Sequence, residues 1–174
     1  MRIVSITFLS CVLLLAACSS DGPTSPSTGT LVVQLTDGPT DLLAEINVYI
    51  TGLTVKRSDA PTERIADDVG LIDLLSLQDV TQLLATVGVQ PGFYNHINVE
   101  LDEERSNVVE LVTGMEMPLQ IASEKIKVLG GFEVLKGATT TILLDFDAEA
   151  SIRQRGNDEW LLVPVIVQAN VETE

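Results

Sequence analysis

Cysteine is almost missing from this chain. Its 174 residues hold two, Cys11 and Cys18, both near the start. A fold built from the remainder has no disulfide framework, no thiolate metal site and no cysteine nucleophile, and must be stable on packing alone. Histidine is rarer still, with His96 the only one. A catalytic base needs a nucleophile and an orienting group beside it. No G-x-S-x-G elbow and no S-x-x-K occurs, so His96 reads as an ordinary surface residue and no enzyme is expected. Basic residues are few: 10 Lys and Arg stand against 25 Asp and Glu, a net charge of −15. That balance excludes nucleic acid and anionic lipid surfaces as partners, because both need a basic footprint. The acidity itself reads as solubility. Aromatics make up 4%, whereas a sugar-binding sandwich needs exposed aromatic platforms. Phe93, Phe132 and Phe146 fall at inward phases. Tyr94 follows the Pro91-Gly92 turn, where a tyrosine locks a sandwich corner by hydrogen bonding. Tyr49 and Trp160 are left as the candidate ligand contacts.

A long apolar run is also lacking. Spanning a bilayer takes ~20 apolar residues, and Ile3 to Leu15 is shorter and meets polar Ser19-Ser20-Asp21 almost at once. With Arg2 ahead of it and Ala16-Ala17 behind, the stretch 1–17 has the layout of a secretory signal. Leu15-Ala16-Ala17-Cys18 resembles the lipobox of bacterial lipoproteins, in which cleavage before the cysteine frees a thiol that carries a diacylglycerol. Stable anchoring takes two or more acyl chains, which a lipoprotein cysteine supplies. Residues 18–29 then read as a flexible, proline-punctuated tether. Ser19 rather than aspartate after the cysteine resembles the outer-membrane sorting pattern of bacteria with two membranes.

What is present from Thr30 onward is period-two apolar patterning filled by β-branched residues. Residues 30–174 read as one domain. Leu31, Val33 and Leu35 share a face, as do Ile46, Val48 and Ile50. At Thr51-Gly52 the phase slips to Leu53 and Val55, which predicts a bulge that keeps both sets on one core. Ser58 to Asp68, polar and holding Pro61, reads as a loop. Asp79 and Gln82 resemble a helix-capping pair, and Gly88 a stop, so a short crossing helix is expected over about Val80 to Thr86. Phe93, Ile97, Val99 and Leu101 are expected to point inward, with Tyr94, His96, Asn98 and Glu100 outward. Further strands are expected over Val108 to Val112, Glu116 to Ile121, Lys125 to Val134, Thr139 to Asp147 and Trp160 to Val171. In the last, Pro164 marks an edge or a bend. About eight strands at this spacing predict a mainly β, antiparallel sandwich of immunoglobulin-like kind.

Asp145-Phe146-Asp147 is the best polar cluster. Alternate strand residues place the two carboxylates on one side, roughly 6–7 Å apart. Such a pair is a weak calcium candidate, since calcium wants six to eight oxygens, or an acid/base pair. A solvated strand end opposite buried Phe146 is the simpler reading, and no cofactor is expected.

Five stretches together carry a resemblance: "GTLVVQLTDGPTDLLAEINVYITGLTV", "IDLLSLQDVTQLLA", "PGFYNHINVEL", "IKVLGGFEVLKGATTTILLDFDAEASI" and "WLLVPVIV". In this order they resemble domain of unknown function 4382, found largely in bacterial lipoproteins. The resemblance implies a β-sandwich related to transthyretin-like and carboxypeptidase-regulatory folds, and an envelope location. It implies no activity or site residues. The chain departs from the pattern between Arg57 and Gly70, where the segment is strongly acidic and lacks the expected tryptophan. The expectation is a lipid-anchored, non-enzymatic cell-envelope domain that binds or scaffolds an envelope protein. The alternative is a carbohydrate-binding surface lipoprotein for nutrient capture.

Overall fold

The computed structural model describes residues 27–38, 43–156 and 159–174. The signal segment, Cys18 and most of the tether lie outside the described residues. The strands are β1 (Gly29–Asp37), β2 (Leu43–Arg57), β3 (Thr62–Asp73), β4 (Gln82–Val89), β5 (Gly92–Glu110), β6 (Glu116–Ile121), β7 (Lys125–Val134), β8 (Thr139–Phe146), β9 (Ile152–Arg155), β10 (Glu159–Leu162) and β11 (Ile166–Thr173). A single 3₁₀ turn covers Leu74–Leu77 and a one-turn helix, α1, covers Ala148–Ser151. Four strands form one sheet in the order β11-β8-β1-β4, and the order β3-β2-β5-β6-β10-β9 forms the other, with β7 also paired to β5. The class is a mainly β two-sheet sandwich.

Alternation explains the core. Leu31, Val33 and Leu35 of β1 and Ile142, Leu144 and Phe146 of β8 are fully buried. Ile46, Val48, Ile50, Leu53 and Val55 of β2 are equally buried despite the change of phase. The pairing of β2 with both neighbours shifts between Ile50 and Gly52, which is the bulge that the slip required. Gly52 is needed there for space. A Cβ would stand 2.7 Å from the Ala66 carbonyl oxygen and 2.2 Å from the Arg64 guanidinium.

Several expectations are corrected. Val80 to Thr86 is not a helix: β4 occupies Gln82–Val89 and pairs antiparallel with β1. Asp79 sits at φ 57°, outside the extended region an N-cap needs. A seven-residue helix is marginal in water, whereas the strand satisfies the open backbone of β1. The 3₁₀ turn comes earlier, capped by Asp73, whose carboxylate accepts from the Leu75 N–H. The polar stretch before Asp68 is not a loop throughout, since β3 begins at Thr62 and lies at the sheet edge, where charged residues are tolerated. The sheets are not wholly antiparallel, because β1 pairs parallel with β8 and β10 parallel with β6. The segment expected from Trp160 to Val171 breaks at Val163–Val165 into β10 and β11, and Pro164 marks that bend.

The start of β5 also differs from expectation. Tyr94 is buried and Phe93 is 51% exposed. The register with β7 shifts between Tyr94 and His96, so an extra residue puts Tyr94 on the same face as Ile97 and Val99. Inside, Tyr94 stacks on Phe132 with centroids 5.2 Å apart. Its hydroxyl donates to the Gln90 carbonyl at 2.7 Å, the corner lock expected after Pro91-Gly92. Phe93, turned outward, lies across Gly131, where a Cβ would stand 2.3 Å from the ring.

Candidate functional site

The outer face of the larger sheet carries a groove of about 970 Å³, within the range of ligand-binding clefts. It is built by an excursion of β5. Tyr49 of β2 pairs with Asp102 and Asn47 with Asn107, so residues 103–106 bow out opposite Val48. Ser106 holds the excursion closed: its hydroxyl accepts from the Tyr49 N–H at 2.9 Å and donates to the Asp102 carbonyl at 2.6 Å. The Glu103 carboxylate accepts from the Ile121 N–H at 2.7 Å, tying the bow to β6. These bonds occupy backbone groups that the interrupted ladder would otherwise leave unpaired.

Two side-chain arrangements line the groove. Arg105 lies 3.7 Å from the centroid of Tyr49, a cation–π contact. Its Nε donates to Asp102 at 2.7 Å, and its terminal nitrogen stands 3.6 Å from Asp68. The Tyr49 hydroxyl donates to the same Asp68 at 2.5 Å. The Asp68 bond raises the Tyr49 pKa above its ordinary value, while Arg105 lowers that of Asp102 by hydrogen bonding. The second arrangement is an amide ladder across three strands: Asn47 donates to Glu45 and to Asn107, and Asn107 donates to Glu116. Leu71, 52% exposed, and Met117, Pro118 and Leu119 supply apolar wall.

The sequence candidates are scattered. Tyr49 is in the groove, with Arg105 over its ring. Trp160 is 5% exposed and belongs to the core, which removes its ring from any surface platform. His96 pairs with Lys56 and Leu129 on neighbouring strands. Desolvation, then Lys127 and Lys56, lowers its pKa, and among the described residues no nucleophile is bonded to it. Asp147 caps α1, accepting from the Ala150 N–H at 2.8 Å. Among the described residues no three His, Cys, Asp or Glu side chains are grouped to hold a metal ion.

Sequence reasoning missed Asp37. It is 5% exposed; one carboxylate oxygen accepts from the Ala148 N–H at 2.9 Å, and the other has no partner among the described residues. Burial above all, with Asp145 and Asp147 adding repulsion, pushes its pKa up from 3.8 to about 7. Nothing in an alternating strand ending in Asp-Gly signals this, because the neighbours come from more than a hundred residues away. The groove was also missed, with Asp102-Glu103-Glu104 read as a plain charged loop. One signal was present: the inward phase is odd through Leu101 and even at Val108.

The two-sheet architecture defines a mainly β sandwich domain with this groove on its larger sheet. The chain matches the family model for Domain of unknown function (DUF4382) over residues 28–164 and belongs to that family. No curated protein and no solved structure matches it.

Proposed function

We propose that this is a lipid-anchored, non-enzymatic domain of the bacterial cell envelope, held to the membrane through acylated Cys18, and that it binds a protein partner through the groove beside Tyr49. The carrying observation is the state of the groove's polar groups. Arg105 pairs with Asp102 and stands near the Asp68 carboxylate that Tyr49 bonds, while Asn47 is bonded to Asn107, which pre-orients the polar groups for recognition. A nucleophile beside a free base would favour chemistry instead. The lipobox-like Leu15-Ala16-Ala17-Cys18 and the polar tether support the anchor. Ser19 after the cysteine supports an outer-membrane position where the bacterium has two membranes. The sugar-binding alternative draws little from the aromatics. Trp160 is core, one face of Tyr49 is covered by Arg105, and Phe93 lies over Gly131.

Two measurements test this. Cys18→Ala is expected to leave an uncleaved precursor that no longer partitions with detergent; a variant still at mature size and still in the detergent phase overturns the anchor. A photo-cross-linking side chain at Leu71 is expected to capture protein in intact cells, and one at Lys136, outside the groove, is not. Equal yields at both positions refute the groove as the binding surface.

A further inference from the structure

The outer face of the larger sheet is electrically divided along its strands. Cross-strand pairing lines up Lys56, His96 and Leu129 in one row, Arg64, Thr54, Asn98 and Lys127 in the next, and Asp67, Gly52, Glu100 and Lys125 in a third. Four of the chain's ten Lys and Arg therefore gather at one end of one face. Arg64 and Lys125 are neutralised by Glu100, at 2.6 and 2.7 Å, together with Asp67, which pairs with Arg64. Lys56 and Lys127 make no ion pair among the described residues, the Lys56 ammonium donating to the Ala60 carbonyl instead, and both press their charge on His96. In a chain of net charge −15 these two lysines form a local positive patch, which an anionic surface can meet.

The other end of the face is that surface. Around the groove stand Asp68, Asp102, Glu103, Glu104 and Glu116, against Arg105 alone. The two ends differ in apolar relief as well as in sign. Leu129, 70% exposed, projects from the cationic end, and the acidic end holds the apolar-walled groove. From His96 to Asp102 along β5 is about 20 Å at ~3.3 Å per residue. A two-fold axis through the Gly52–Glu100 row would set each cationic end over the partner's groove, the self-complementary arrangement an isologous pair requires.

We infer that the partner of the groove is a second copy of this chain, packed face to face and antiparallel, with Leu129, Lys56 and Lys127 of each copy seated on the acidic groove of the other. The inference rests on the proposed binding role of the groove and names its occupant. The pairing is dry at the leucine and charged around it, as in interfaces where apolar anchors carry affinity and charges fix register.

Charge reversal tests it with the full chain in detergent, protein mass being separated from detergent mass by light scattering. The wild type is expected to be dimeric at micromolar concentration. Lys56→Glu with Lys127→Glu gives a chain with two acidic ends, and Glu104→Lys with Glu116→Lys gives one with a less acidic groove. Each set alone is expected to weaken pairing at least tenfold, with its melting temperature confirming a folded chain. Mixed together, the two sets are expected to pair again, because the one reversed end meets the one reversed groove while the unchanged end meets the unchanged groove. A wild type that stays monomeric up to about a tenfold higher concentration overturns the inference. So does a dimer indifferent to both sets, or a mixture that fails to pair while each set remains folded. The groove reading survives such a failure if a cross-linker at Leu71 still captures a different envelope protein. It falls as well if Leu71 captures nothing.

Discussion

Asp37 makes stability depend on pH in a calculable direction. The carboxyl is buried at the end of β1, bonded on one oxygen to the Ala148 N–H, and unpartnered on the other among the described residues. Unfolded, it titrates near 3.8; folded, near 7. Between those values the folded state holds a proton that the unfolded state has released, so the stability of the fold falls as pH rises. The loss is absent below the unfolded value and complete once pH exceeds the folded one. The gap corresponds to an upper bound of about 4 kcal/mol, and water reaching exposed Asp147 beside it lowers the expected figure to ~2–3 kcal/mol. Asp37→Asn removes the titration while keeping an oxygen to accept from Ala148. Its new amide adds a cost of about 1–3 kcal/mol if left unbonded, but that cost does not vary with pH. The measurement is denaturant unfolding of both chains at about pH 4.5 and about pH 8. The wild type is expected to lose ~2–3 kcal/mol relative to the variant across that interval. Parallel stability curves for the two chains would refute the reasoning, as would a carboxyl resonance for Asp37 that titrates near its ordinary value.

Four further expectations concern structure elsewhere. Gly52→Val should destabilise by about 2–4 kcal/mol in denaturant melts, because its Cβ meets the Ala66 carbonyl and displaces the Arg64 guanidinium. Thr54→Val, which leaves the buried Asn98 amide without the acceptor it reaches at 2.8 Å, should cost about 1–3 kcal/mol, and a Gly52 variant less harmful than this one contradicts the account. Tyr94→Phe keeps the stack on Phe132 but loses the bond to Gln90, for a drop of about 1 kcal/mol; an unchanged melting temperature would show that the corner lock contributes nothing. Chelator is expected to leave the melting temperature unchanged, and a fall of several degrees, abolished by Asp147→Asn, would establish a calcium site at Asp145 and Asp147.

Much of the sandwich was legible in local pattern. Period-two alternation marks β1, β6, β7 and β8 because one side of each strand must be apolar. The slip at Thr51-Gly52 marks a bulge because neither Ile50 nor Leu53 belongs in water. Pro91-Gly92 followed by Tyr94 marks the corner, since the bond to Gln90 spans only four residues. Asp79-Val80 shows where such reading stops. Seven residues from Val80 to Thr86 satisfy helix and strand patterns alike, and the choice fell to the unpaired edge of β1, a partner some fifty residues earlier. The orientation of Phe93 and Tyr94 was likewise decided by a register shift against β7. Composition determined the net charge of the chain, but pairing decided its placement: Lys127 lies more than sixty residues from Lys56 and Arg64 and reaches them because β2, β5 and β7 pair in one sheet. The same holds for the groove, where Tyr49, Arg105 and Asp68 come from three strands, and for Asp37, which meets the Ala148 N–H from more than a hundred residues away. Local residues determine what each strand can bury, while only the contacts between strands determine which charges become neighbours.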